Sequence, residues 1–148
     1  MTLEDRIIKM LADKGADYEL VEHDPVYTNP AMAEALGVKE SQTVKSLVLV
    51  TKEGEMIVLV LPGDRKADWK KAAAAAGTKK VSFAKPGAVL ETVGCEVGCV
   101  PPFGHGLPVY MEPELAEKDL VYFNPGVHHK SFKISGRDLK SLCNPSFV

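Results

Sequence analysis

The chain has 148 residues, 45% of them hydrophobic and 26% charged, with a formal net charge of −2. That length suits one domain, residues 1–148, with a sizeable core, and the charge excludes a protein that coats nucleic acid non-specifically. The longest apolar runs, Leu47 to Val50 and Met56 to Leu61, are strand-sized and fall far short of the about 18 residues of a membrane span.

Met1-Thr2-Leu3-Glu4-Asp5 lacks the basic start and apolar stretch of a signal peptide. Thr2 with Asp5 instead reads as a helix cap, followed by Leu3, Ile7, Ile8, Met10 and Leu11 at helical spacing and a stop at Gly15. Tyr18 to Glu22 alternates as a strand, and Thr28 is an N-cap for a short helix over Ala31 to Leu36, closed by Gly37. Thr43 to Thr51 and Glu55 to Leu61 form a hairpin around Lys52-Glu53-Gly54, apolar enough to be covered on both faces. Asp68 caps an alanine-rich helix that ends at Gly77; Lys80 to Phe83 is a short strand, and Pro86 opens a helix to Val93. Pro108 to Met111, Leu120 to Phe123 and Lys130 to Ile134 are further strands, and Ser135 with Asp138 starts a last helix. Hairpin-length connections and irregular interleaving predict an α+β fold, a mixed, mostly antiparallel, barrel-like central sheet with helices outside.

The segment Gly94 to Gly106 stands apart. Glycines at 94, 98, 104 and 106 permit unusual backbone angles and close approach, while Pro101 and Pro102 stiffen the curve. A loop both permissive and rigid is either a structural turn or a way to aim bare N–H groups at a carbonyl or oxyanion. Lys45, entering the most hydrophobic strand, is either a snorkelling edge lysine or a cation aimed at a ligand phosphate. Between Asp64 and Lys85 seven basic residues face two acidic ones, a solvated face or a phosphate-binding patch on an acidic body.

Several chemistries find no support. His23, His105, His128 and His129 form no His-Glu-x-x-His pair, and Cys95 and Cys99 with them make no zinc signature, so neither metal nor cofactor is expected. No Gly-x-Ser-x-Gly elbow or phosphate-binding P-loop occurs. Three cysteines is an odd count, against a disulfide framework and for a reducing cytoplasm. No basic neighbour visible in the sequence activates Cys95 or Cys99 as a nucleophile.

Four pieces in order carry a resemblance: Glu22-His23-Asp24-Pro25-Val26-Tyr27-Thr28, Thr43-Val44-Lys45-Ser46-Leu47, Gly94-x-x-x-Gly98-x-x-x-Pro102-Phe103-Gly104, and Asn124-Pro125-Gly126-Val127-His128-His129. Together they resemble the YbaK/ProX family of aminoacyl-tRNA deacylases, also found as the editing domain of bacterial prolyl-tRNA synthetases. The resemblance implies a free-standing, cytoplasmic trans-editing hydrolase, monomer or weak dimer, that cleaves the ester of mischarged tRNA, with Cys- or Ala-tRNA(Pro)-like substrates and an aminoacyl-tRNA synthetase as a further partner. It implies that Lys45 engages the tRNA 3′ end and that the loop of Gly98, Cys99, Val100, Pro101 and Pro102 holds the substrate carbonyl through backbone N–H groups. It sets His23 and Thr28 at the pocket mouth and Gly126, His128 and His129 on the substrate side, without choosing between the two histidines. Arg65, Lys66, Lys70 and Lys71 are the expected tRNA contacts. An activated ester needs no covalent nucleophile, so a water positioned by the substrate's own ribose hydroxyl suffices. The competing readings are a non-catalytic tRNA- or nucleotide-binding module of the same fold and a hydrolase that uses Cys99.

Overall fold

The computed structural model describes residues 1–148. Helix α1, Leu3–Asp13, starts at a reciprocal cap in which the Asp5 N–H donates to Thr2 Oγ1 and the Thr2 N–H to Asp5 Oδ2, both at 3.1 Å. It buries Ile7 and Leu11. Strand β1, Glu19–Glu22, leads to helix α2, Asn29–Leu36, which begins two residues before the expected Ala31 because Pro30 fits the first turn of a helix. Thr28 caps it and Gly37, at φ 69°, ends it.

Strands β2, Val44–Thr51, and β3, Met56–Pro62, form the expected hairpin. Alternate β3 residues serve two cores. Val58 and Val60 face the larger one, of 23 buried residues, and Ile57, Leu59 and Leu61 face a smaller one against Ala72 and Ala73 of helix α3, Trp69–Ala75. Strand β4, Val81–Phe83, and helix α4, Pro86–Val93, follow. After the glycine-rich segment come strand β5, Val109–Met111, helix α5, Glu114–Glu117, strands β6, Val121–Phe123, and β7, Lys130–Ile134, helix α6, Gly136–Cys143, and strand β8, Ser146–Phe147.

The expected barrel-like sheet needs correction. The strands form two sheets, β4-β2-β3-β5-β8 and β1-β7-β6, joined by one bridge between Thr43 and Tyr122 and closed into no barrel. Pairing is mostly antiparallel, with β3–β5 and β5–β8 parallel. The larger core fills the space between them, with Phe103, Phe123 and Phe132 in successive ring contacts of 5.2 and 5.7 Å.

Strand β4 is short and covers only part of the β2 edge. It pairs with β2 only from Leu49 to Thr51, and its extension ends where the Ala84 N–H donates to Val48 O at 3.0 Å. The preceding part of β2, Val44 to Leu47, is an open edge. That opening positions the site.

Candidate active site

A cleft of about 160 Å³ lies along the open edge of β2, between it, the start of α2 and the glycine-rich segment. Its walls include Tyr27, Thr28, Asn29, Lys45, Gly98 and Asn124. Thr28 Oγ1 is occupied in capping α2, accepting from the Ala31 N–H at 3.2 Å. Asn29 Nδ2 donates to Thr43 Oγ1 at 3.0 Å and to Val44 O at 3.2 Å, fixing the strand's first residues. Lys45 reaches the surface, where Nζ donates to Arg65 O at 2.7 Å. A lysine bound only to a neutral carbonyl keeps its charge available to an anion.

On the opposite wall, Val97–Cys99 forms one 3-10 turn. The Cys99 N–H is spent on Glu96 O at 3.1 Å, and the prolines at 101 and 102 have none to give. The N–H groups of Gly98 and Val100 carry no hydrogen bond within the protein, and both residues line the cleft. Gly98 is not in the left-handed region, contrary to the expectation that the loop's glycines exploit positive φ there. Its lack of a side chain serves close packing instead: a Cβ would sit 3.3 Å from Tyr27 O and 3.5 Å from His128 Cε1.

Of the paired histidines, His128 faces this segment and His129 is exposed. The His128 ring lies between Val26 O at 3.1 Å and Glu96 Oε2 at 3.0 Å, with its centroid 4.4 Å from that of Tyr27. It braces the turn from behind. His23 is likewise set back: Nε2 lies 2.8 Å from Ser131 Oγ, which lies 3.4 Å from Asn124 Oδ1 in the cleft wall. Gly126 stands apart from the cleft, at φ 98° against Leu3, where a Cβ would meet Leu3 Cδ2 at 2.8 Å.

Cys99 is buried and turned away from the cleft. It lines a separate hollow with Cys95, Glu96 and His128, and its thiol donates to Glu96 O at 3.5 Å. The neighbouring Cys95 thiol and His128 lower Cys99, while Cys95, beside it in a buried place, is raised. Pro101 and Pro102 are buried and lie outside the cleft. The Pro102 carbonyl is clamped by His105 Nε2 at 3.2 Å and by the Cys143 thiol at 3.4 Å.

The expected tRNA contacts divide. Arg65 pairs with Glu112 at 3.5 Å and with Glu114, whereas Lys66, Lys70 and Lys71 are exposed without ion pairs. Sequence reasoning passed over Tyr27, Asn29, Ser46 and Asn124 as site residues. Tyr27, Ser46 and Asn124 stand inside the four quoted pieces, beside the residues that were singled out.

The sequence profile of the Aminoacyl-tRNA editing domain family matches residues 23–142. The chain is 32% identical to the Multifunctional Ser/Thr-tRNA deacylase ProXp-y of Escherichia coli K12, over 97% of this chain and 89% of that protein. It is 31% identical to the Prolyl-tRNA editing protein ProX of Acetoanaerobium sticklandii, over 96% and 91% of the two chains. A crystal structure assigned as a trans-editing enzyme for prolyl-tRNA synthetase superposes with a TM-score of 0.86 at 28% identity, covering 100% of this chain and 96% of the other. The chain belongs to the aminoacyl-tRNA editing domain family, in its YbaK/ProX branch.

Proposed function

We propose that the cleft between the open edge of β2 and the Gly98 turn hydrolyses the ester of tRNA charged with a small, hydroxyl-bearing amino acid. Family membership supplies the reaction class, deacylation of aminoacyl-tRNA. One observation carries the mechanism: two backbone N–H groups free of protein partners belong to Gly98 and Val100, which line the same cleft as Lys45. Each preorganised donor of this kind is worth ~10²–10³ in rate when it meets the charge developing on a carbonyl oxygen. Lys45 exchanges its bond to Arg65 O for a phosphate of the tRNA 3′ end, a stronger charge-assisted contact. His128 and the Tyr27 ring hold the turn at its register. Water attacks the polarised carbonyl, the ester C–O bond breaks, and the ribose oxygen leaves with a proton.

The substrate side chain is the finer part of the reading. Small cleft volume and the polar lining of Thr28, Asn29, Ser46 and Asn124 favour serine or threonine, and the E. coli relative named above is a Ser/Thr-tRNA deacylase. Cysteine and alanine on tRNA(Pro) are the competing esters. Work on charged tRNA belongs in the cytoplasm, and no helix here is long and apolar enough to cross a membrane. Exposed Lys66, Lys70 and Lys71 are the proposed phosphate contacts, while Arg65, held by two carboxylates, contributes chiefly the carbonyl that parks Lys45.

A second reading rests on the setting of Cys99 beside Cys95 and His128, which lowers its thiol from the ordinary value. Its burial on the far side of the turn opposes that reading. The test is one tRNA charged in turn with serine, threonine, alanine and cysteine and incubated with the pure protein. Seryl and threonyl esters should be released fastest. Release of none above the uncatalysed rate, with charged tRNA still bound, would make the protein a binding module.

A further inference from the structure

Ser46 is the one side chain whose buried polar atom has no hydrogen-bond partner. The residue is 8% exposed, so its hydroxyl has lost water without gaining a protein group, a state that destabilises the fold. Its position is unusual in a second way. Ladder parity along β2 is set by the Gly63 N–H donating to Thr43 O and by Val48 O accepting from Ala84: odd-numbered residues bond β3 and even-numbered ones bond the other side. Val60, opposite Ser46, turns its own carbonyl to Glu112 on the far side, so Ser46 and Val60 form a pair without mutual hydrogen bonds. The N–H and C=O of Ser46 therefore point to the open edge, where no strand receives them. Backbone and hydroxyl of one residue are all unpartnered at the same place.

That place is the junction of two hollows. Ser46 lines the cleft of Lys45 and Gly98 and also an apolar cavity of about 310 Å³ walled by Val48, Phe83, Ala84 and Pro86. An apolar ligand group at this junction would leave the hydroxyl as costly as before. A ligand hydroxyl would satisfy it, with one χ1 rotation sufficient to aim Oγ to either side.

We propose that Ser46 reads the aminoacyl side chain: its hydroxyl bonds the hydroxyl of a seryl- or threonyl-type substrate and sets the protein's preference among small amino acids. The proposal rests on the deacylase reading above and narrows it to a residue. A site holding a polar group for a substrate hydroxyl discriminates against the analogue that lacks it, because the protein group is then left unpaired.

The experiment compares wild type with Ser46→Ala on one tRNA charged with serine or with alanine, and measures the melting temperature of both proteins. Removal of Oγ should lower the seryl rate about tenfold or more while moving the alanyl rate far less. The melting temperature should hold or rise by about 2–4 °C, because an unsatisfied hydroxyl has gone. Simple structural damage would lower the melting temperature and both rates together. A seryl rate unchanged in Ser46→Ala, or one that falls in step with the alanyl rate, overturns the role of Ser46. A wild type that leaves both esters at the uncatalysed rate overturns the deacylase reading beneath it instead.

Discussion

The glycine-rich segment between α4 and β5 is chemically two pieces, and they differ in what they do with their polar groups. Its front part, Glu96 to Val100, is largely exposed and offers the N–H groups of Gly98 and Val100 to a cleft. Its rear part, Pro101 to His105, is mostly buried, and its carbonyls are held: Pro102 O by His105 and Cys143, Gly104 O by Arg6 at 2.7 Å. One part presents, the other anchors. Preorganised donors are worth most when the scaffold behind them does not give, so under the proposed mechanism the satisfied rear half would hold the unsatisfied front half in place.

The sharpest way to break this contrast is Gly98→Val in the front part. Its Cβ would already press on Tyr27 O, and the two further methyl groups must enter the cleft or displace His128. Hydrolysis should fall at least about a hundredfold, the worth of one preorganised donor, on every aminoacyl-tRNA that the wild type accepts. A Gly98→Val protein with normal rates would remove the turn from the mechanism.

Lys45→Ala comes next in size. Loss of a charge-assisted contact to phosphate should cost roughly ten- to a hundredfold in kcat/KM, with the fold intact because no buried carboxylate loses its partner. A drop in melting temperature that accounts for the lost activity would make Lys45 a structural tie to Arg65.

The rear part should respond through stability. The Leu107 N–H donates to His105 Nδ1 at 3.0 Å, so the ring's one proton sits on Nε2, facing Pro102 O. Burial pushes His105 below its ordinary value of 6.5, so the unfolded chain takes up a proton before the folded one does. Stability should be full above about pH 6.5 and decline as pH falls below it. Thermal melts of His105→Asn should be lower than wild type at pH 7 by about 1–2 kcal/mol, yet flatter between pH 7 and 5. Equal acid sensitivity in the two proteins would place the titration elsewhere.

The smallest effect concerns the basic face. Neutralising Lys70 and Lys71 should weaken all tRNAs alike and reduce the slope of log affinity against log salt by somewhat under one unit per contact. An unchanged slope would leave these lysines as a solvated helix face.

Local signals were the legible ones. Thr2 with Asp5, Asp68, Ser135 and the stop at Gly37 mark helix ends by bonds made within four residues, so spacing alone reveals them. Helix α5 spans four residues and β8 two, too short for any periodicity to register. The open edge of β2 rests on where β4 stops, and the link between the two sheets on the contact of Thr43 with Tyr122, nearly eighty residues apart in sequence. Ser46 escaped notice for the same reason: a serine in an apolar strand looks incidental until the neighbouring strand is seen to end before it. Lys45 and Gly98 stand out as site candidates because a cation in an apolar strand and a glycine in a proline-stiffened loop differ from their surroundings, whereas Thr28 reads locally only as a helix cap and enters the site through the family resemblance. His105 does not stand out, since only the fold brings its ring between Pro102 and Leu107.

Presentation by backbone and attack by a thiol differ most directly in what happens when the Cys99 sulfur is removed. Cys99→Ala keeps every N–H of the turn and deletes only a buried thiol on the far side from Lys45. Its initial rate on charged tRNA, measured beside wild type at matched melting temperature, should stay within a few-fold of normal. A loss of a hundredfold or more in a stably folded Cys99→Ala protein would contradict the account and make Cys99 the nucleophile.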